Sequence, residues 1–243
     1  MTGKVVVTGS AGHLGEALVR VLRDGGHAVT GIDVRPSPYT TVVGSVADRD
    51  LVRGCMAGAA AVLHAATLHK PHVGSHGKQD FVDTNVTGTL TLLEEAVAAG
   101  VGSFVFTSTT SAFGRALTPG AGEPAAWITE DVVPRPRNIY GVTKTAAEDL
   151  CELVHAEHGL PVVVRRLFPD YEAEYARRGW RMFPSIGRVY VNARARSDLG
   201  WSPRYDFRAV LDALKAGQDP RSPLAQAIGA KGYHDKPTGV YTS

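Results

Sequence analysis

The sequence predicts an α/β fold, a doubly wound parallel sheet followed by a small, mostly helical C-terminal region. Three observations carry this. Short β-branched runs alternate with longer helical patterns from Lys4 to Arg165. A glycine-rich turn joins the first strand-like run to the first helix-like one. After Arg166 the alternation stops, and Arg, Tyr and Trp become frequent up to Pro203.

Lys4–Thr8 reads as a strand, and Gly12–Asp24 as a helix with Leu14, Leu18, Val21 and Leu22 on one face. Gly25 and Gly26 stop it. Ala28–Asp33 and Thr41–Val43 read as strands, and residues 48–56 as a helix opened by Asp48. Ala60–His64 is a strand, Gln79–Ala99 a long helix, Ser103–Thr107 a strand, Ile139–His158 a long helix and Pro161–Arg165 a sixth strand. Helices are expected at Tyr171–Arg178, Val191–Leu199 and Phe207–Ala216, with an irregular tail from Asp219. The expected division is residues 1–166 for the sheet domain and 167–243 for a smaller C-terminal region.

Composition narrows the function classes. The 243 residues are 44% hydrophobic and 21% charged, as in an ordinary globular fold. The formal charge of +2 comes without a polybasic block, which argues against nucleic acid or an anionic membrane as partner. There is no apolar run of bilayer length and no signal-peptide pattern from Met1 to Val7. Cys55 and Cys151 lack ligand spacing, so buried thiols in a reducing cytoplasm are expected, with no metal site. His69, His72 and His76 have helical spacing, but Pro71 and Gly74 favour a polar loop.

The turn Gly9-Ser10-Ala11-Gly12-His13-Leu14-Gly15 sits in the strand–turn–helix context of a phosphate-binding loop. Gly9 permits the tight turn, Gly12 lets backbone approach a pyrophosphate, and Gly15 lets helix and strand pack closely. The helix start offers free N–H groups and a positive dipole end. Asp33, at the end of the second strand, suits the adenosine ribose hydroxyls and repels a 2′-phosphate. A Rossmann-type domain that prefers NAD to NADP is the expectation, although Arg35 lies close enough to serve a phosphate.

Tyr140 and Lys144 share a face at the start of the second long helix. An ammonium beside a phenol lowers its pKa, and the phenol can then exchange a proton with a substrate oxygen. Thr107-Ser108-Thr109-Thr110-Ser111 follows the fifth strand, where parallel sheets bind ligands.

In this order the residues resemble the extended branch of the short-chain dehydrogenase/reductase superfamily, the NAD-dependent epimerase/dehydratase family. The resemblance rests on the glycine spacing, Val62-Leu63-His64-Ala65-Ala66, Asn85-Val86-Thr87-Gly88-Thr89, and Pro136 followed by Tyr140 and Lys144. It implies that Ala65 and Ala66 lie along the cofactor, that Asn85 belongs to a structural motif, and that Asp48 stands near the adenine, though a plain helix cap explains Asp48 equally well. It implies Thr109 as the catalytic hydroxyl, Tyr140 as acid/base and Lys144 as its electrostatic partner and holder of the nicotinamide ribose. A nucleotide-sugar substrate is implied in the same way, with Arg166, Arg177, Arg178 and Arg181 either meeting its diphosphate or serving as solvated surface charge. Relatives often pair their long helices into a homodimer bundle.

Departures are visible. Phe113 stands where relatives often carry Tyr, and Ser45 where they carry Asp. Arg165-Arg166 runs almost directly into Tyr171–Trp180, whereas Leu199-Gly200-Trp201-Ser202-Pro203 resembles the end of the substrate domain, so its middle is missing. The expected activity is an NAD-dependent epimerase/dehydratase-like oxidoreductase. A dehydrogenase of a small carbonyl substrate and a non-catalytic NAD-binding sensor or scaffold are the alternatives.

Overall fold

The computed structural model describes residues 3–120, 123–129, 131–164, 188–229 and 231. The strands are β1 (Lys4–Thr8), β2 (Val29–Asp33), β3 (Val42–Val43), β4 (Ala59–His64), β5 (Ser103–Phe106), β6 (Ala126–Ile128), β7 (Val162–Val164) and β8 (Arg188–Tyr190). Six of them form one sheet in the order β3-β2-β1-β4-β5-β7, every pair parallel. Register places Thr8 beside Ile32 and His64, and His64 beside Phe106, so the carboxyl ends of the central strands line one edge.

Alternation along the strands sends side chains to opposite faces. Val5 and Val7 pack under helix α1 (His13–Asp24), against Leu18, Val19 and Leu22. Val6, Ile32, Val62, Phe104 and Phe106 point the other way. They meet α2 (Arg49–Met56), α4 (Gly88–Ala98) and α5 (Ile139–His158) through Val52, Leu92, Leu93, Ala96, Ala147 and Cys151. Parallel sheets need such cover on both faces. Asp48 caps α2 by accepting from Leu51 N–H at 3.1 Å.

The helix expected over 79–99 is interrupted. It consists of α3 (Lys78–Val82), one wide π turn (Asp83–Thr87) and α4. The π turn surrounds Asn85, which is 2% exposed and turned inward. His72 lies within a short 3₁₀ turn (Lys70–Gly74), with His69 before it and His76 after it, and neighbouring rings are in edge-on contact. No group of metal-ligating side chains occurs among the described residues.

The C-terminal region contains a strand that the sequence pattern concealed. β8 pairs in parallel with β6, forming a small second sheet. Three helices follow, α6 (Ala193–Leu199), α7 (Phe207–Lys215) and α8 (Pro223–Ile228). The last corrects the expectation of an irregular tail: Ser222 caps it through Ala225 N–H, and Pro223 fits its first turn. The expected helix at 171–178, the boundary at 166 and 167, and Arg166, Arg177, Arg178 and Arg181 lie outside the described residues. No described helix is long and apolar enough to cross a membrane.

Leu92 is fully buried beneath the sheet. Leu92→Ala should lower unfolding free energy by about 2–5 kcal/mol, whereas Val133→Ala, at a 70% exposed site, should change it by less than about 0.5 kcal/mol, as read from urea denaturation.

Candidate active site

The glycine turn leaves β1 at the carboxyl edge of the sheet. Gly9 adopts φ +71°, and a Cβ there would lie 2.8 Å from the Ala65 carbonyl carbon and the Ala66 nitrogen. A Cβ on Gly15 would fall 1.9 Å from the Gly9 oxygen. These contacts force glycine at both positions and press the start of α1 against the turn. Gly12 is different: its Cβ would meet only the Gly9 oxygen, at 3.1 Å, so its outer side is open.

The first turn of α1 leaves backbone donors open. Gly12 supplies no side-chain cap, and Glu16 N–H is the first to bond back, to the Gly12 oxygen at 2.9 Å. His13 and Leu14 are exposed there. Uncapped N–H groups at a helix start form an anion site. Asp33 borders it. One carboxylate oxygen accepts from Ala11 N–H and the other from Arg35 N–H, both at 2.9 Å, so Asp33 is tied to the turn.

A buried relay fixes the floor. Thr8 Oγ1 accepts from Ala65 N–H at 3.2 Å and Ala66 N–H at 3.1 Å, and lies 2.7 Å from His64 Nδ1. His64 Nε2 lies 3.0 Å from Thr89 Oγ1, which donates to the Asn85 carbonyl at 2.7 Å. These partners assign the tautomer: Thr8 donates to Nδ1, and Nε2–H donates to Thr89. Asn85 continues the frame. Its Oδ1 accepts from Thr67 Oγ1 and Leu68 N–H, and its Nδ2 donates to the Leu68 carbonyl and to Thr143 Oγ1 at 3.0 Å. The Asn85 amide thus ties the loop after β4 to the first turn of α5.

That turn carries Tyr140 and Lys144. Asn138 caps it through Gly141 N–H at 2.9 Å. A Cβ on Gly141 would lie 2.7 Å from the Ser111 oxygen, so glycine is what lets α5 close on the hydroxyl run. Thr107 N–H donates to the His64 carbonyl at 3.0 Å, and Thr109 Oγ1 accepts from Ser111 N–H at 3.1 Å. Burial pushes the Tyr140 phenol above its ordinary pKa, and a hydrogen bond with the Thr109 side chain acts in the opposite sense. Lys144 is 2% exposed, and its ammonium lies 3.7 Å from the centre of the Phe106 ring. Burial pulls it down to about 7, with Glu148 as the largest opposing influence.

Of the influences on the Tyr140 phenol, burial leads and raises its pKa. The sequence reading assigned no role of their own to three residues. His64 reads as an ordinary strand residue, yet it is the centre of the relay, held neutral and pushed down to about 3 by burial and then by Lys144. Glu148 extends the Tyr140–Lys144 spacing by one more turn and accepts from Ser108 Oγ. That i, i+4, i+8 spacing was a signal in the sequence. Lys231, which carries no motif, reaches the glycine turn.

A parallel sheet of this order, with a glycine turn after β1 and an acidic end to β2, defines a Rossmann-type dinucleotide-binding fold. Residues 5–216 match the NAD dependent epimerase/dehydratase family, and the chain belongs to that family. It is 31% identical over 194 residues to a UDP-glucose 4-epimerase of Streptomyces lividans, covering 75% of this chain and 56% of that protein. It is 28% identical over 217 residues to an NAD-dependent glucose-6-phosphate dehydrogenase of Haloferax volcanii, covering 78% of this chain and 79% of that one. Among solved structures it resembles MoeE5 in complex with UDP-glucose and NAD, with TM-score 0.56, 32% identity, and 67% of this chain and 52% of that chain covered. The chain spans about half the length of the first curated relatives it matches.

Two outcomes test this site. Thr8→Val takes the side-chain partner from the Ala66 N–H and from buried His64, while Ala65 N–H keeps the Thr8 carbonyl, and should cost about 1–3 kcal/mol in urea unfolding. The second concerns pH. His64 stays neutral between about 3 and 6.5, and Lys144 between about 7 and 10.5, while the unfolded chain holds both protons. The unfolded state binds more protons in each window, so stability rises with pH through both, by up to about 1.4 kcal/mol per pH unit. Lys144→Met should abolish the rise between pH 7 and 10 in urea midpoints. An undiminished rise in that variant would assign it to another group.

Proposed function

We propose that the chain binds NAD at the carboxyl edge of its sheet and acts as an epimerase/dehydratase-like oxidoreductase on a hydroxyl-bearing carbon of a nucleotide sugar. One observation carries the reading: Tyr140, Thr109 and Lys144 gather beside the same strand ends that carry the open glycine turn.

The residues fit the cofactor. The outer side of Gly12 leaves room that a Cβ would fill, and His13 and Leu14 present the exposed start of α1. Lys144 is a buried ammonium with no hydrogen-bond acceptor among the described residues, as expected of a group that awaits ribose hydroxyls. Gly9, Ala11, Gly12, His13, Leu14 and Gly15 would hold the pyrophosphate, Asp33 the adenosine ribose, and Asp48 the adenine side. Ala65, Ala66 and Thr107 would line the middle, with Tyr140 and Lys144 at the nicotinamide ribose. Asn85 would act by holding the loop at Thr67 and Leu68 in place. When bound, NAD supplies the hydride acceptor.

The protein's own groups handle the proton. Thr109 orients the substrate oxygen, and Tyr140 exchanges a proton with it. A phenol is protonated at neutral pH, the form that donates to a carbonyl oxygen, and burial of Tyr140 reinforces that form. The reverse transfer needs a cation beside the phenol, and Lys144, one helical turn on, is placed to supply it. Cys55 and Cys151, both free and buried, suit a cytoplasmic setting. Val142 and Leu153, apolar and exposed on α5, suit a homodimer bundle.

The Haloferax relative, matched along most of its length, favours a second reading: a dehydrogenase of a smaller, non-nucleotide substrate. Calorimetry with NAD, followed by UDP-, GDP- and dTDP-sugars, separates the two. An epimerase returns the cofactor oxidised, whereas a dehydrogenase accumulates NADH. NAD binding without any turnover would leave a sensor or scaffold. Tyr140→Phe should abolish turnover and keep NAD affinity within about twofold; full activity in that variant would sink the mechanism.

A further inference from the structure

Lys231 lies beyond α8, yet its ammonium donates to the Ala11 carbonyl at 2.8 Å and pairs with the Glu16 carboxylate. Ala11 is part of the glycine turn, and its N–H is held by Asp33. Glu16 is 6% exposed, in the first turn of α1. A carboxylate there suits the helix dipole but repels any phosphate brought to the same helix start. Two cations answer it: Arg20 takes one carboxylate oxygen at 2.7 Å, and Lys231 takes the other. With the Asp33 carboxylate on the Ala11 N–H counted as well, Arg20 alone would leave the turn one net negative charge, and Lys231 brings it to balance. An ammonium has three donors, and Ala11 and Glu16 use two of them.

We propose that Lys231 is a positioning residue of the dinucleotide site, delivered by the C-terminal segment. It braces the Ala11 peptide and supplies the charge that makes the start of α1 attractive to the dinucleotide phosphates. This rests on the NAD reading above. Neither the glycine fingerprint nor the tyrosine–lysine pair includes it, and it lies beyond residue 216, where the family match ends.

The test is NAD calorimetry on the full chain at low and high sodium chloride, with K231Q and K231R, and thermal melts of each protein. K231Q should weaken NAD binding about threefold to tenfold at low salt. The deficit should shrink as salt rises, because screening removes a charge effect and spares a purely structural one. K231R should bind within about twofold of the parent, since it keeps the charge. Unchanged affinity in K231Q, a loss independent of salt, or an equal loss in K231R would overturn the proposal. Failure of the parent chain to bind NAD would instead overturn the cofactor reading.

Discussion

The buried relay from Thr8 through His64 and Thr89 to Asn85 is the constraint on which the candidate site depends. It joins the ends of β1 and β4 to the π turn before α4. Through Asn85 and Thr143 it reaches the first turn of α5. Every polar group in it has a partner, which is what makes burial of an imidazole tolerable. Without it, the loop after β4 and the tyrosine-bearing turn would be two separate surfaces.

The π turn is the geometric counterpart of that relay. One widened turn swings the Asn85 side chain inward while the helices before and after keep their apolar faces on the core. Gly141 serves the same end from the other side, because only a glycine lets α5 approach the Ser111 carbonyl. Lys144 shows the cost of closing these elements together. Its ammonium is stripped of water and left over the Phe106 ring.

Local chemistry explains what the sequence revealed. β1, the glycine turn, α1 and Asp33 were legible because each is fixed by residues within a few positions. That the sheet is parallel followed from the alternation, whereas the order of its strands appears only in the fold. Other features depend on distant partners. β6 and β8 have three residues each and no periodic signal, so their pairing appears only in the fold. The π turn keeps the helical apolar pattern, so 79–99 reads as one helix. His64 looks like any strand residue until Thr8 and Thr89 meet it from both sides.

The pairing of Glu16 with Lys231 spans 215 residues of chain. During synthesis at about 5–20 residues per second, the carboxylate precedes its lysine by about 10–40 seconds. α1 and β1 can pack on each other as soon as β2 and β4 emerge, since the apolar cluster between them draws on no residue of the C-terminal segment, and α8 joins α1 only afterwards. In that interval only Arg20 answers the charge of Glu16. The nascent sheet is thus assembled before its phosphate-binding turn has its full electrostatic character, and the turn matures last, when residue 231 arrives.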